Sequence, residues 1–341
     1  MVMKILYSGP FGTGSLTEAR RKALVEMGHD VTGLDQLAFL RGSPALFRKI
    51  QINLLIGPAI TNYNREIVRL AQERKHDLIY VDQANLLWPQ TVRALSATGA
   101  MVVHYTSEYF GFRRYTYRHL FKAVDLYDVH VITNTLCEPT LRAKGAKKII
   151  YTRFGYDPTL HHPLQLTQED IKKYGSDIVF VGHWEPWTEK MVAALCRAGL
   201  NVRVWGPKWW RGRSVPATAR NPAVWGNEYV KILAASKIAL CFLSKANFNQ
   251  CASRTFEIPA IGAFMLAERT EEQVSYFREG EEAEFFGSAD ELVKKAKHYL
   301  EHDEERARIA GQGHKRCLSS RYTQLDRTQD VLTELGVAGD S

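Results

Sequence analysis

The chain has no apolar run close to the roughly 20 residues that cross a bilayer as a helix, and it has no low-complexity tract. Its five cysteines (Cys137, Cys196, Cys241, Cys251 and Cys317) are odd in number, scattered and without a CxxC pair. That pattern excludes a disulfide framework and a zinc site of the usual spacing, and fits reduced thiols in a cytoplasm. There is no Asp-x-Asp, no His-Glu-x-x-His and no Gly-x-Ser-x-Gly, which removes the familiar metal-protease and serine-hydrolase patterns. His161-His162 has no companion ligands nearby in sequence, so no metal is expected there. The first glycine turn, Gly9 to Gly14, carries Thr17 where GxGxxG needs its last glycine, and no Gly-Lys-Ser/Thr follows it. Neither nicotinamide nor ATP binding is expected from it; Gly12, Thr13 and Gly14 read as a flexible loop beside a binding cleft.

What is present suits two domains of ordinary size: 341 residues, 45% hydrophobic and 24% charged. The net charge of +8 is lopsided. Residues 1–165 hold 21 Lys+Arg against 13 Asp+Glu, which leaves 24 of each for residues 166–341 when taken from totals of 45 and 37. A basic first half fits an anionic partner, namely a membrane surface, an acidic or phosphorylated acceptor, or nucleic acid; a plain solvated face fits equally well. The N-terminus, Met1 to Tyr7, reads as a first strand rather than a signal peptide, because its apolar run is short and enters the glycine turn directly.

Strand and helix patterns alternate. Strands are expected at Lys4–Ser8, His29–Asp35, Asp77–Val81, Met101–Tyr105 and Val129–Thr133. Helices are expected after Ser15, which forms a capping box with Glu18, and over Ile67–Arg74 and Thr91–Ala97. The aperiodic, proline-bearing stretch Phe154 to Pro163 reads as a linker. The alternation restarts with strands at Asp177–Gly182, Val202–Gly206 and Ile238–Phe242. Helices follow at Glu189–Ala198, Tyr229–Ser236, Glu291–Leu300, Glu304–Ala310 and from Asp326 to Leu335. The expected class is α/β: two doubly wound parallel sheets, Rossmann-like, facing a cleft at their carboxyl edges. The domains are expected at residues 1–160 and 161–325, with 326–341 a helix packing back on the first.

Chemistry concentrates in Ser253-Arg254-Thr255-Phe256-Glu257-Ile258-Pro259-Ala260-Ile261-Gly262. A short helix starting near Thr255 and closed by Gly262 would turn free N–H groups and Arg254 toward an anion such as a phosphate. Glu257 would stand behind them, able to accept from a vicinal diol; on local sequence alone a first-turn acid reads first as a counter to the helix dipole. Gly182-His183-Trp184 follows a buried strand, with Lys190 near the next helix start, and Trp205-Gly206-Pro207-Lys208-Trp209-Trp210 follows another. These offer a flat platform for a base or sugar and cations for phosphate, or else packing between domains. Tyr109 to Lys122 interleaves aromatic and basic residues; if helical, Arg114, Arg118 and Lys122 share one face suited to an anionic acceptor or lipid headgroups, or to solvent. Glu108 sits where an acid of the cleft is expected.

Asp177–Trp184, Val204–Pro207 and Arg254–Leu266, together with Tyr276–Gly280, Glu284–Phe286 and Asp290–Leu292, resemble the CgeB-like (spore-maturation-type) glycosyltransferases. The resemblance implies a GT-B fold and transfer of a sugar from a nucleotide-sugar, UDP favoured, to a hydroxyl on a glycan, a lipid-linked carrier or a protein. It implies retention of configuration and no metal or other cofactor, and a product among cell-surface glycans is expected. Apart from the resemblance, the thiols fit a cytoplasmic protein, the basic first half fits peripheral membrane contact, and the neutral second half without a recognised nucleic-acid module leaves no nucleic-acid partner expected. Glu257 is implied to bind the donor ribose and the Ala252–Thr255 N–H groups the diphosphate. Gly182 and His183 would meet phosphate or sugar, and Trp205-Gly206 or Trp225 the base, with Trp184, Lys190, Tyr229, Ser253 and Thr255 on the donor side. As catalytic groups, Arg254 with Lys190 and the Thr255 helix start is expected to stabilise the departing diphosphate, and Glu108 or His183 to orient the acceptor or the sugar. Related retaining enzymes carry a Glu where this chain has Asn249, an Arg where it has His183, and a His-Asp pair where it has Ser107-Glu108. A non-catalytic nucleotide-sugar-binding scaffold and a nucleotide-sugar epimerase are the competing classes.

Overall fold

The computed structural model describes residues 2–110 and 117–337. They divide into two compact units, one of Met1–Arg153 with Gln324–Ser341 and one of Phe154–Thr323. Unit 1 contains β1 (Lys4–Gly9), β2 (Asp30–Asp35), β3 (Leu78–Asp82), β4 (Met101–Thr106), β5 (Val129–Ile132) and β6 (Ile149–Tyr151). Unit 2 contains β7 (Ser176–Val181), β8 (Val202–Trp205), β9 (Arg220–Asn221), β10 (Ser236–Cys241), β11 (Met265–Glu268) and β12 (Glu284–Phe286).

Each unit holds one six-stranded sheet, ordered β2-β1-β3-β4-β5-β6 and β12-β11-β10-β7-β8-β9, and every pairing is parallel. Renumbered within unit 2, that order is 3-2-1-4-5-6, the arrangement of dinucleotide-binding sheets; unit 1 follows the flavodoxin-like 2-1-3-4-5 pattern with one strand added. Helices cover both faces, so central strands are apolar without alternation: all of Leu78–Asp82 is buried. The expected α/β, doubly wound class is the one observed.

Helix starts follow local chemistry. Ser15 Oγ accepts from the Glu18 N–H at 3.2 Å, and Pro58, Pro89 and Pro186 each sit in a first turn where a missing N–H costs nothing. The final helix, Gln324–Leu335, belongs to unit 1, where Val331, Leu332 and Leu335 pack with Tyr7 and Leu24. Several elements differ from the sequence expectation, two of them ahead of β3. The helix expected over Ile67–Arg74 runs Pro58–Glu73; its first half is rich in Thr and Asn, and Asn64 is held inside by bonds to the Ile60 and Leu86 carbonyls. A further helix, Ala45–Leu54, precedes it. The strands β6, β9 and β12 are two or three residues long, too short for a periodic signal.

Candidate functional site

In unit 2, β7 lies between β8 and β10, and the chain leaves β7 toward β8 and β9 before crossing to β10. Such a reversal opens a crevice at the carboxyl ends of the two diverging strands. Gly182 follows β7; its N–H donates to the Trp205 carbonyl at 2.8 Å and its carbonyl accepts from Trp209 Nε1 at 2.9 Å. Gly206, at φ +150°, passes so close that a Cβ on it would meet the Gly182 oxygen at 2.0 Å. Only glycine fits there, and the two turns close on each other.

Beyond β10, the chain reaches the helix Arg254–Ala260. Glu257 is 7% exposed. Its Oε2 accepts from the Tyr229 hydroxyl at 2.6 Å, and its Oε1 lies 4.0 Å from His161 Nε2. Burial first, and then the Glu257 carboxylate, hold the Tyr229 phenol well above its ordinary pKa, so it stays a donor. His161 Nδ1 accepts the Asp157 N–H at 3.1 Å, which leaves Nε2 to carry the ring proton on the side of Glu257. Arg254 is partly buried, its guanidinium carbon 5.4 Å from the Phe180 ring centre. Among the described residues its one hydrogen bond is a long one, 3.5 Å, to the Phe242 carbonyl, and its buried Nε has no partner. A guanidinium with donors to spare beside a buried carboxylate can take an anion and a hydroxyl together.

The helix start differs from expectation. Ser253 is already helical in conformation and caps nothing, and Pro259 lies inside the helix. The Ala252 N–H donates to Thr255 Oγ1 at 3.3 Å and the Thr255 N–H to the Ala252 carbonyl at 3.1 Å. Those two groups are engaged, leaving the Ser253 and Arg254 N–H groups with no acceptor among the described residues. Gly262, at φ +82°, closes the helix as expected, with the Ala263 N–H returning to the Ile258 carbonyl at 3.2 Å.

The other expected donor-side residues separate by burial. Thr255 is fully buried and donates to Gln273 Oε1 at 2.7 Å. Trp205 is also in the core, against Tyr174 and Arg203, so neither side chain presents a surface. Trp184 is half-buried and donates to Glu189 Oε2 at 2.7 Å. Trp209 is buried within unit 2, against Phe180. Trp225, by contrast, is 67% exposed, two residues before the helix Asn227–Ala234 that carries Tyr229. His183 and Lys190 are exposed, the latter 5.7 Å from the Trp187 ring centre.

Sequence reading missed the carboxylates that brace the segment after β10. Glu185 accepts from Ser244 Oγ at 2.7 Å and from the Lys245 N–H at 3.0 Å. Glu268, ending β11 and almost fully buried, accepts from Lys245 Nζ at 2.8 Å, the Leu243 N–H at 3.3 Å and Trp187 Nε1. An acid closing an otherwise apolar strand, Met-Leu-Ala-Glu, was the available signal. Phe248 and Asn249 lie on that braced segment, Phe248 at φ +51°. His161, set aside for want of neighbours in sequence, is the third group around Glu257. Among the described residues no group of three or more His, Cys, Asp or Glu is placed to hold a metal ion.

The corresponding point of unit 1, at the ends of β1 and β3, is filled differently. Asp82 is fully buried; its Oδ2 accepts from Arg20 Nη2 at 2.6 Å, Arg20 Nε at 2.9 Å and the Tyr7 hydroxyl at 2.8 Å. Arg20 continues to the Tyr105 hydroxyl at 3.2 Å; burial works against its charge, but Asp82 together with Tyr105, Tyr7 and Tyr80 outweighs it and raises its pKa well above normal. Gly12, Thr13 and Gly14 are exposed. Glu108 is half-buried beyond β4, its N–H donating to Thr106 Oγ1 at 3.1 Å. Arg118 is exposed and donates to the Leu54 carbonyl; Arg114 lies outside the described residues. The helical face expected for Arg114, Arg118 and Lys122 reduces, among the described residues, to a short 3-10 turn at Leu120–Lys122.

The sequence profile of a family described as glycosyl transferase-like matches residues 185–333. No curated protein sequence matches the chain. Among solved structures, Anabaena Alr3699/HepE in complex with UDP-glucose is similar over 98% of this chain and 100% of its own, with a TM-score of 0.67 at 14% identity. The sucrose-phosphate synthase of Thermosynechococcus elongatus is similar over 98% and 99%, with a TM-score of 0.65 at 10% identity. A putative UDP-N-acetylglucosamine 2-epimerase from Listeria monocytogenes covers 100% and 99% at 0.53 and 12%. At such identities the likeness is one of architecture: the chain has the GT-B glycosyltransferase fold.

Proposed function

We propose that the protein is a glycosyltransferase that moves a sugar from a UDP-sugar to a hydroxyl acceptor, with retention of configuration and without a metal ion. The observation that carries the reading is Glu257, buried at the crevice of the unit 2 sheet, with one oxygen fixed by Tyr229 and the other making no hydrogen bond to a described residue. In this reading Oε1 accepts from the ribose diol, and Arg254 with the Ser253 and Arg254 N–H groups meets the diphosphate. Gly182 and His183 approach the phosphates or sugar, and Trp225 lies against the base. Leaving-group charge grows as the glycosidic bond breaks, so Arg254 and Lys190 act mainly in the transition state. Glu108, with the Gly12–Gly14 loop and Arg118, is assigned to the acceptor side. The resemblance in sequence and the UDP-glucose held by the Anabaena neighbour support the choice of base.

A stability-shift screen against UDP-, GDP-, dTDP- and ADP-sugars tests the reading, because a ligand bound only by the native state raises its melting temperature. A shift with a UDP-sugar, followed by release of UDP in the presence of chelator, is the expected result; no shift with any nucleotide-sugar would overturn it. The fold also accommodates an epimerase-like neighbour. Product analysis separates that reading, since an epimerase returns an altered sugar rather than a transferred one.

A further inference from the structure

In the helix Ala45–Leu54 the apolar Ile52 packs on the core, but most of the apolar side chains face solvent. Leu46, Ile50 and Leu54 recur every four residues with Phe47 beside them, so at 100° per residue they form one stripe about a third of the circumference wide. In a globular helix that stripe faces the core. Here Leu46 is 72%, Phe47 45%, Ile50 42% and Leu54 47% exposed, and Ile56 just beyond is 55% exposed. The buried position is a polar one, Gln51, whose Oε1 accepts the Ala59 N–H at 2.9 Å. The amide thus ties this helix to the next while its apolar side is turned to solvent, where a patch of this kind marks an interaction surface.

The charge around the stripe identifies its partner. Between Asp35 and Glu66 the chain has no acidic residue and four basic ones, Arg41, Arg48, Lys49 and Arg65. Arg41 is paired with Asp35, while Arg118 is fastened to the helix's carboxyl end through the Leu54 carbonyl. On the same wheel Lys49 borders the stripe, about 60° from Leu46, and Arg48 lies about 100° beyond Phe47; an apolar face set in such a cationic segment matches acyl chains beneath anionic headgroups. It suits a second copy of the chain poorly, because pairing would bring the two cationic segments together. We propose that this helix docks the protein on an anionic lipid surface, lying in the interface with Leu46, Phe47, Ile50 and Leu54 inserted. The proposal does not rest on the sugar-transfer reading, and its test contains no nucleotide, so either can fail without the other.

The test is co-sedimentation of the full chain with vesicles of phosphatidylcholine alone or mixed with phosphatidylglycerol. The wild type should bind the mixed vesicles, release them as salt is raised, and ignore the neutral ones. The double variant Arg48→Glu/Lys49→Glu should bind at least about thirty-fold more weakly, and Leu46→Ser/Ile50→Ser at least about tenfold more weakly. Both should melt with the wild type, since the replaced side chains are exposed. No binding to mixed vesicles, equal binding to neutral ones, or variants that bind as the wild type would overturn the proposal. So would a lipid-free dimer in sedimentation analysis that Leu46→Ser/Ile50→Ser dissolves, which would make the stripe a contact between copies.

Discussion

The two sheets reverse direction beside their first strands, and each places ionisable groups at the resulting crevice, yet they use the position in opposite ways. In unit 1 the acid, Asp82, is fully enclosed, and the three hydrogen bonds its Oδ2 accepts come from one arginine and one tyrosine. The guanidinium of Arg20 is also buried and stacks 3.9 Å from the Tyr105 ring centre. This buried ion pair, made through Oδ2 while Oδ1 finds no partner among the described residues, joins β1, β3 and β4 to the helix Leu16–Glu26. In unit 2 the acid, Glu257, is held by a neutral phenol, while the nearby arginine is left with an unpartnered Nε. An arginine salt-bridged to its acid has little left for a ligand; an arginine kept apart from its acid has donors to offer. On the proposed reading, the unit 2 crevice is left open to a ligand because its cation and its anion do not satisfy each other, as they do in unit 1.

The comparison breaks most sharply at Asp82. Asp82→Ala should cost about 3–5 kcal/mol of unfolding free energy, because it strands the Arg20 charge in the core. Denaturant unfolding should show that loss, with nucleotide affinity in the surviving folded protein unchanged; a drop in affinity at intact stability would make Asp82 a ligand-binding group after all. A second asymmetry is acid sensitivity. His104 Nδ1 and His130 Nδ1 are 2.9 Å apart in the unit 1 core, and His130 Nε2 meets the Val124 carbonyl at 2.9 Å. Burial, the larger cause for both, holds both rings below the ordinary histidine value. With folded values below the unfolded one, the unfolded state takes up protons first as pH falls beneath about 6.5. Unit 1 should therefore lose about 1.4 kcal/mol per pH unit for each ring until the folded values are reached. Hydrogen exchange at pH 7 and 5 should show β4 and β5 opening more readily at the lower pH, and unchanged protection there would count against the account.

Glu257→Gln sharpens the same contrast from the other side. It keeps the volume and an acceptor while removing the charge, so unfolding should change little. Nucleotide binding should weaken by about 1.5–3 kcal/mol, the range for a hydrogen bond to a charged group, or roughly 10- to 100-fold. Titration calorimetry giving wild-type affinity would remove Glu257 from the donor site.

How much of this could be read in advance follows from sequence distance. The alternation of strands was legible because parallel strands covered on both faces, such as Leu78–Asp82, are continuous apolar runs. Arg254, Glu257 and Gly262 were legible because the turn, the acid and the closing glycine lie within one local motif. The partners that give Glu257 and Asp82 their character were not. His161 reaches Glu257 from the far end of the unit, and Arg20 reaches Asp82 across a crossover, so no spacing rule joins them. Helix Ala45–Leu54 was missed for a different reason: pattern reading assigns an apolar stripe to a core, and this one faces solvent.

The smallest expected effect concerns two tryptophans that follow neighbouring strands of unit 2 and looked equivalent as base platforms. Trp205 is enclosed, and its Nε1 finds no acceptor among the described residues. Trp205→Phe loses ring volume but also removes a buried donor without a partner, two changes of opposite sign. Its stability should shift by no more than about 1–2 kcal/mol, and nucleotide affinity should stay put. Trp225 is exposed, so Trp225→Ala should leave the melting temperature alone. A base stacked on one face of that ring contributes at the low end of aromatic stacking, roughly 1 kcal/mol, so affinity should fall about fivefold. If affinity follows Trp205 and not Trp225, the base lies over the β8 turn, and the exposed ring belongs to some other contact.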